Sequence, residues 1–195
     1  SPDPFGLYSD LYLHRTFIHV IAPSGVSGLL WTPEVRHATS EQDLIRRMQT
    51  VVLSPLAMVN GWYLKNPPWK QIERKANNSG QFAANWEVLE SKCRDILELR
   101  MKFIPYIHAA FVRYHQTGLP PFRALVLDYP DDPAVNSISD QYMMGDNVMV
   151  APVTADSSRR NVYLPQGDWY DFWTKENLAG GKIISVEVPL DRIPI

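Results

Sequence analysis

Residues 120–132 read PPFRALVLDYPDD, residues 140–153 read DQYMMGDNVMVAPV, and residues 160–174 read RNVYLPQGDWYDFWT. In the first segment the apolar run 122–127 has the length of a buried strand and ends in an Asp-Tyr-Pro-Asp-Asp turn. After Asp140 the pattern becomes all-β. Residues 148–153, 161–164, 169–173 and 183–188 are short strand candidates, punctuated by Gly167-Asp168 and Gly180-Gly181. Trp169 and Trp173, on one strand, would face the same side, as a sugar-stacking platform or as domain core. Asp128, Asp131 and Asp132 lack the alternating ligands and glycine of an EF-hand, so calcium is not expected there.

Upstream of Asp140, strand-like runs alternate with helical ones, the pattern of βα units. Residues 27–31 form a short apolar run with the character of a buried parallel strand. Ser40 then opens a helix as N-cap, and Asp43 completes a capping box. Leu44, Ile45, Met48, Val51 and Val52 share one face of that helix, which Pro55 closes. Residues 56–59 read as a second buried strand, ending at Asn60. The stretch 61–81, with Pro67, Pro68 and Gly80, is long and aperiodic, as functional or mobile loops are. Asn85 caps the longest helix, 86–116; Pro105 should bend it, and Gly118 ends it.

Composition bounds the function. The chain has 195 residues, 45% of them hydrophobic and 21% charged, with a net charge of −2, which suits one globular domain or two small ones. No basic run points to nucleic acid or an anionic membrane surface, and no apolar run has transmembrane length. Cys93 is the only cysteine, so an intrachain disulfide is impossible and a buried structural thiol is expected. Asn77-Asn78-Ser79 meets the N-glycosylation sequon. His14, His19, His37, His108 and His115 form no HExxH pair, so neither zinc nor any other cofactor is expected. His108 and His115 lie on the long helix as packing or surface residues.

The three quoted segments, in that order, resemble the end of the catalytic barrel and the start of the following β-domain in glycoside hydrolase family 31. Its members are retaining α-glycosidases: α-glucosidases, α-xylosidases and some α-galactosidases. The resemblance covers nearly all of the chain. Arg47, Gln49, Ser54-Pro55 and Pro68-Trp69 fit the family's run from Arg-Trp-x-Gln through Ser-Pro to Glu-Pro-Trp. Asn60 stands where the family commonly has a substrate-binding His, and Pro67 where it has Glu. The resemblance implies an α/β fold. Residues 1–139 would be the C-terminal portion of a (β/α)8 barrel, and residues 140–195 the start of an antiparallel β-sandwich. Such a barrel takes about 250 residues, so the chain is expected to be a fragment cut at both ends.

A retaining glycosidase uses two carboxylates about 5–5.5 Å apart, a nucleophile and an acid/base. The resemblance places the acid/base at Asp10, because Tyr8-Ser9-Asp10 stands where the family has aromatic-Gly-Asp. Capping a helix that begins near Leu11 is the alternative role. Glu34 falls near the Asp of the family's Asp-Ile-Gly-Gly-Phe loop, and reads as a substrate-hydroxyl acceptor or as the ion-pair partner of Arg36. Trp31, Glu34 and Arg36 follow the first strand, Asn60 and Trp62 follow the second, and the third carries Arg123. Aromatic, amide and charged groups at the carboxyl ends of barrel strands suit a sugar pocket. The family nucleophile lies in a Trp-x-Asp-Met/Asn context that does not occur in this chain.

The expected activity is therefore exo-hydrolysis of terminal α-linked sugars, with no turnover by the isolated chain. A non-catalytic carbohydrate-binding or scaffold module is an alternative, as is an α-glucan lyase or transglycosylase on the same fold. The expected partners are an oligosaccharide or glycoside, and an upstream segment of the same enzyme or a second copy covering the unpaired strand edges.

Overall fold

The computed structural model describes residues 13–28, 30, 34–35, 38–59, 61 and 63–195. Among the described residues helix α1 (His14–Val26) comes first, with Leu13 at its N-cap. The helix start expected near Leu11, with Asp10 as its cap, lies outside the described residues. Phe17, Ile18, Ile21, Ala22 and Gly25 form its buried stripe, a helical spacing that runs to the edge of the segment expected to be a strand. Gly28 closes the helix at φ +70°, its N–H bonded to the Gly25 carbonyl at 3.1 Å. A Cβ on Gly25 would lie 2.2 Å from the Phe122 carbonyl oxygen, so only glycine allows α1 this close to the strand it covers.

Among the described residues the first parallel strand is β1 (Glu34–Val35); of the expected strand 27–31, Ser27 and Gly28 form a turn after α1, and Leu29 and Trp31 lie outside the described residues. It pairs with β2 (Met58–Val59) in the register Glu34 to Met58 and Val35 to Val59. Contrary to the expected burial, β2 is open: Met58 is 39% exposed and Val59 37%, and Leu56 just before it is exposed as well. An apolar run marks a strand that wants cover, but the cover itself is a tertiary matter.

Between them lies helix α2 (Glu41–Val52), and here the expectations hold. Ser40 Oγ accepts the Asp43 N–H at 3.0 Å, a cap worth about 1 kcal/mol. Asp43 in turn reaches back to the Thr39 N–H at 2.9 Å. Leu44, Ile45, Met48, Val51 and Val52 are all at most 2% exposed; such side chains stabilise by about 1.5–3 kcal/mol each. The orphan carbonyls at the end of α2 are met from outside the helix. Arg100 donates to Val52 (2.8 Å), Ser54 (2.5 Å) and Pro55 (2.9 Å), and the Tyr142 hydroxyl to Leu53 (2.8 Å).

Arg100 stands on the long helix α4 (Trp86–Thr117), which follows the short helix α3 (Arg74–Asn78). Pro105 lies inside α4 without ending it. Gly118 stops it at φ +76°, its N–H on the Tyr114 carbonyl at 2.8 Å. Asn85 occupies the N-cap position, but its side chain donates to Glu41 (2.8 Å) instead of capping.

The aperiodic stretch before α4 is organised around Asn77, which is fully buried. Its amide nitrogen donates to the carbonyls of Asn66 (3.0 Å), Pro67 (3.4 Å) and Gln71 (2.8 Å), and its oxygen accepts the Asn66 N–H (2.9 Å). That nitrogen is committed to the loop, so the sequon is not a surface glycan acceptor. Asn77→Ala should cost on the order of 3 kcal/mol by orphaning these buried groups. Limited proteolysis should then cut within 63–81 well before the wild type is cut. Unchanged cleavage would show that the network does not hold the loop.

Strand β3 (Phe122–Ala124) is half the length expected and turns into a 3-10 segment, Leu125–Leu127. Arg123, 2% exposed, draws the chain back through Asp128, with contacts of 2.7 and 2.6 Å. Instead of joining β2, β3 pairs antiparallel with β4 (Tyr142–Met144), which pairs antiparallel with β5 (Val148–Val150). The β4–β5 turn leans on α4: the Tyr106 hydroxyl donates to the Met144 carbonyl and accepts the Asn147 N–H, each at 2.9 Å.

Further on, β6 (Arg159–Leu164) pairs with β9 (Lys182–Glu187), and β7 (Asp168–Tyr170) with β8 (Asn177–Ala179), all antiparallel. Asp171 ends β7 by accepting the N–H groups of Trp173 (2.8 Å) and Thr174 (2.7 Å). Trp169 and Trp173 therefore do not share a strand face. Trp169 packs against the cluster of Leu125, Met143, Val162 and Leu164, while Trp173 packs against the larger core built from α1, α2 and α4.

Candidate functional site

The parallel pair defines the geometry available for a site. Because β1 and β2 run the same way, their carboxyl ends lie on one side, and Val35 and Val59 are opposite each other there. The residues that follow the two strands in sequence are Arg36 and Asn60. Asp10, Trp31, Arg36, Asn60 and Trp62 all lie outside the described residues. Glu34 lies within them: it is on β1 itself rather than on a loop after a strand, and its side chain is 2% exposed. The sequence distance between 35 and 59 is closed by α2, which packs against β1.

Several other groups are set aside by their surroundings. Cys93 is buried, and that burial pushes its thiol up to about 12, so it is no nucleophile near neutral pH. Arg123 is held by Asp128 and by the Pro120 carbonyl (3.0 Å), as a structural ion pair of β3 rather than as a pocket residue. Asp132 caps a 3-10 turn (Pro133–Ser137) through the Ala134 N–H (3.0 Å) and accepts the Tyr163 hydroxyl (2.6 Å). Asp171, in a Trp-Tyr-Asp-Phe context, serves the turn after β7. His108 and His115 are exposed on α4. Among the described residues no group of three or more His, Cys, Asp and Glu is placed to hold a metal ion, and no helix is long and apolar enough to cross a membrane.

A cleft of about 560 Å³ opens beside β6–β9, lined by Tyr129, Met143, Met149, Trp169, Leu178 and Ile184 among others. Its walls are mainly the second core cluster. Both nearby indole N–H groups are spent on the protein, Trp169 on the Pro165 carbonyl and Trp173 on the Ile193 carbonyl, each at 2.8 Å. The tryptophans thus fill the role of domain core.

One structural residue had no sequence signal, and a second, Gln49, was singled out only through the family run. Arg46, 1% exposed, donates from α2 to the carbonyls of Val188 (2.6 Å), Arg192 (2.9 Å) and Pro189 (3.3 Å), fastening the last segment of the chain. Gln49 adds a bond to the Leu190 carbonyl at 2.8 Å.

The model of the glycosyl hydrolase family 31 C-terminal domain matches residues 118–195. The α-glucosidase 2 of Bacillus thermoamyloliquefaciens is 31% identical over 176 residues, 88% of this chain and 21% of that protein. The isomaltosyltransferase of Sporosarcina globispora is 39% identical over 129 residues, 66% of this chain and 11% of that protein. The cycloalternan-degrading enzyme of Trueperella pyogenes, solved with cycloalternan, superposes over 92% of this chain and 25% of its own, with a TM-score of 0.75 and 28% identity. The chain belongs to glycoside hydrolase family 31. It spans about a quarter or less of the length of these relatives.

Proposed function

We propose that the chain is the C-terminal part of the catalytic region of a retaining exo-α-glycosidase. The observation that supports this most is the shared fold, over nine-tenths of the chain, with an enzyme solved with cycloalternan bound. In this reading β1, α2 and β2 are units of a (β/α)8 barrel, and the proximal β-domain follows. The antiparallel union of β3 with β4 favours a junction near Gly118, where the family match begins, over Asp140.

The roles follow from retaining chemistry. Asp10 protonates the departing glycosidic oxygen and later takes a proton from water. An Asp supplied by an upstream segment is the nucleophile. Trp31 and Trp62 stack on sugar faces, while Glu34, Arg36 and Asn60 bind hydroxyls. The register of β1 and β2 sets Val35 beside Val59, the residues that precede Arg36 and Asn60 in the sequence. A neutral amide at Asn60, where the family commonly has His, favours a sugar other than glucose, galactose among them. Exposed Leu56, Met58 and Val59 would lie against the rest of the same polypeptide or against a second copy. Transfer to a sugar acceptor instead of water is the second reading, favoured by the isomaltosyltransferase relative.

The test uses nitrophenyl α-glycosides, with the isolated chain and the complete enzyme side by side. The complete enzyme should release the α-anomer first, as seen by proton NMR, and the isolated chain should give no turnover. Release of the β-anomer would overturn retention. Turnover by the isolated chain would place a nucleophile inside it. Binding without turnover by the complete protein would favour the carbohydrate-binding module.

A further inference from the structure

The first turn of α1 is tied to α2 by a buried polar contact. His14 Nε2 lies 2.7 Å from the Thr50 hydroxyl oxygen, and that hydroxyl donates its proton to the Arg46 carbonyl at 3.1 Å. With its single hydrogen committed, Thr50 can only accept, so Nε2 of His14 carries the ring hydrogen. His14 Nδ1 is then the bare nitrogen, and it is buried with no hydrogen-bond partner among the described residues. The side chain is 5% exposed and meets Phe17 edge-on, with ring centroids 6.1 Å apart.

The charges around the ring are unfavourable to an added proton. Arg46, Arg47 and Asp43 face it from α2, and Asp156 from the loop before β6; Arg15 is exposed on α1 beside Asp156. Asp43 is engaged by the Arg47 Nε, 2.9 Å from both its oxygens, and by Thr39. Asp156 is exposed and engaged by Thr154 and Arg15. Burial first, then the Arg47 charge, hold the imidazole down to about 3 from an ordinary 6.5.

We propose that His14 is an acid-sensitive latch, which undocks the first turn of α1 from α2 when a proton is added at Nδ1. The Nε2–H bond to Thr50 is not what fails. The added Nδ1–H has nothing to accept it, and the new cation sits beside two guanidinium groups in an apolar contact. Between about pH 6.5 and pH 3 the undocked histidine binds more protons than the docked one. Docking is therefore fully favourable above 6.5 and is lost progressively as the pH falls through that window. Helix α1 begins four residues after Asp10. The latch does not rest on the functional reading above.

The test is a pH titration of ¹⁵N-histidine-labelled protein by NMR, with amide exchange read over residues 14–18. His14 should remain neutral, in the Nε2–H tautomer, well below the pH at which a reference histidine peptide titrates, about 6.5. Protection of those amides should fall by up to about tenfold per pH unit below that value. His14→Gln keeps a donor near Thr50 but does not titrate, and should remove this slope. An ordinary titration of His14, the Nδ1–H tautomer, or an unchanged slope in His14→Gln would each overturn the latch. If the variant fails to fold, the wild-type tautomer and titration decide alone. None of these readouts depends on activity, so they stand or fall separately from the role of Asp10.

Discussion

Asp10→Asn in the complete enzyme is expected to lower turnover of a natural disaccharide by about 10²–10⁴-fold, the usual contribution of a positioned acid/base. The loss should depend on the leaving group. A sugar alkoxide needs a proton to depart, whereas an activated aryl oxide leaves unaided, so the glycosylation step on aryl substrates should be nearly spared. Deglycosylation would then limit the rate, since water attacking the glycosyl-enzyme needs a general base. Azide needs none, and adding it should restore turnover and yield a glycosyl azide of retained configuration. Equal rates for wild type and Asp10→Asn on the disaccharide would remove Asp10 from the mechanism and make Glu34 the next carboxylate to replace. Nearly unchanged kinetics would instead favour the capping role for Asp10, since Asn caps a helix about as well as Asp.

The second large effect is on stability. Asp43 and Arg47 form a buried pair on α2, with side chains 8% and 4% exposed. Asp43→Ala would leave the Arg47 guanidinium without its carboxylate, and the Thr39 N–H without its acceptor. A loss of about 3–5 kcal/mol is expected, as for other broken buried pairs. The exposed pair Glu90–Arg94 has the same i, i+4 spacing at 3.1 Å, but its side chains are 31% and 64% exposed. Glu90→Ala should cost no more than about 0.5 kcal/mol. Urea midpoints of the two variants measure the contrast. A loss below 1 kcal/mol for Asp43→Ala, by an order-of-magnitude comparison with surface pairs, would show that the surroundings resolvate Arg47 easily.

What the sequence alone determined is whatever depends on near neighbours along the chain. Ser40 and Asp43 are three residues apart, the apolar face of α2 repeats with the helical period, and Gly118 is the residue type that tolerates a left-handed helix end. The β-character of the last third was legible for the same reason, and so was the family, because it is carried by contiguous segments. The boundaries shifted by up to three residues: β5 and β7 end earlier than expected, β7 where Asp171 takes up the turn, β6 begins two residues sooner, and β9 moves by one.

Tertiary structure alone decided the rest. The apolar run 27–31 and the stripe of α1 share residue types, and packing on β3 through Gly25 carried the helix up to Ser27. Residues 122–127 looked like a barrel strand, but an extended backbone pairs with whichever edge is offered, and here that edge was β4. Asn77 met a sequon, yet four hydrogen bonds from distant backbone made it the centre of a loop. His14 and Thr50, like Arg46 and the carbonyls near Val188, are far apart in sequence, and their meeting leaves no local trace. In each case the deciding energy is long-range burial or a long-range hydrogen bond, which no window of sequence contains.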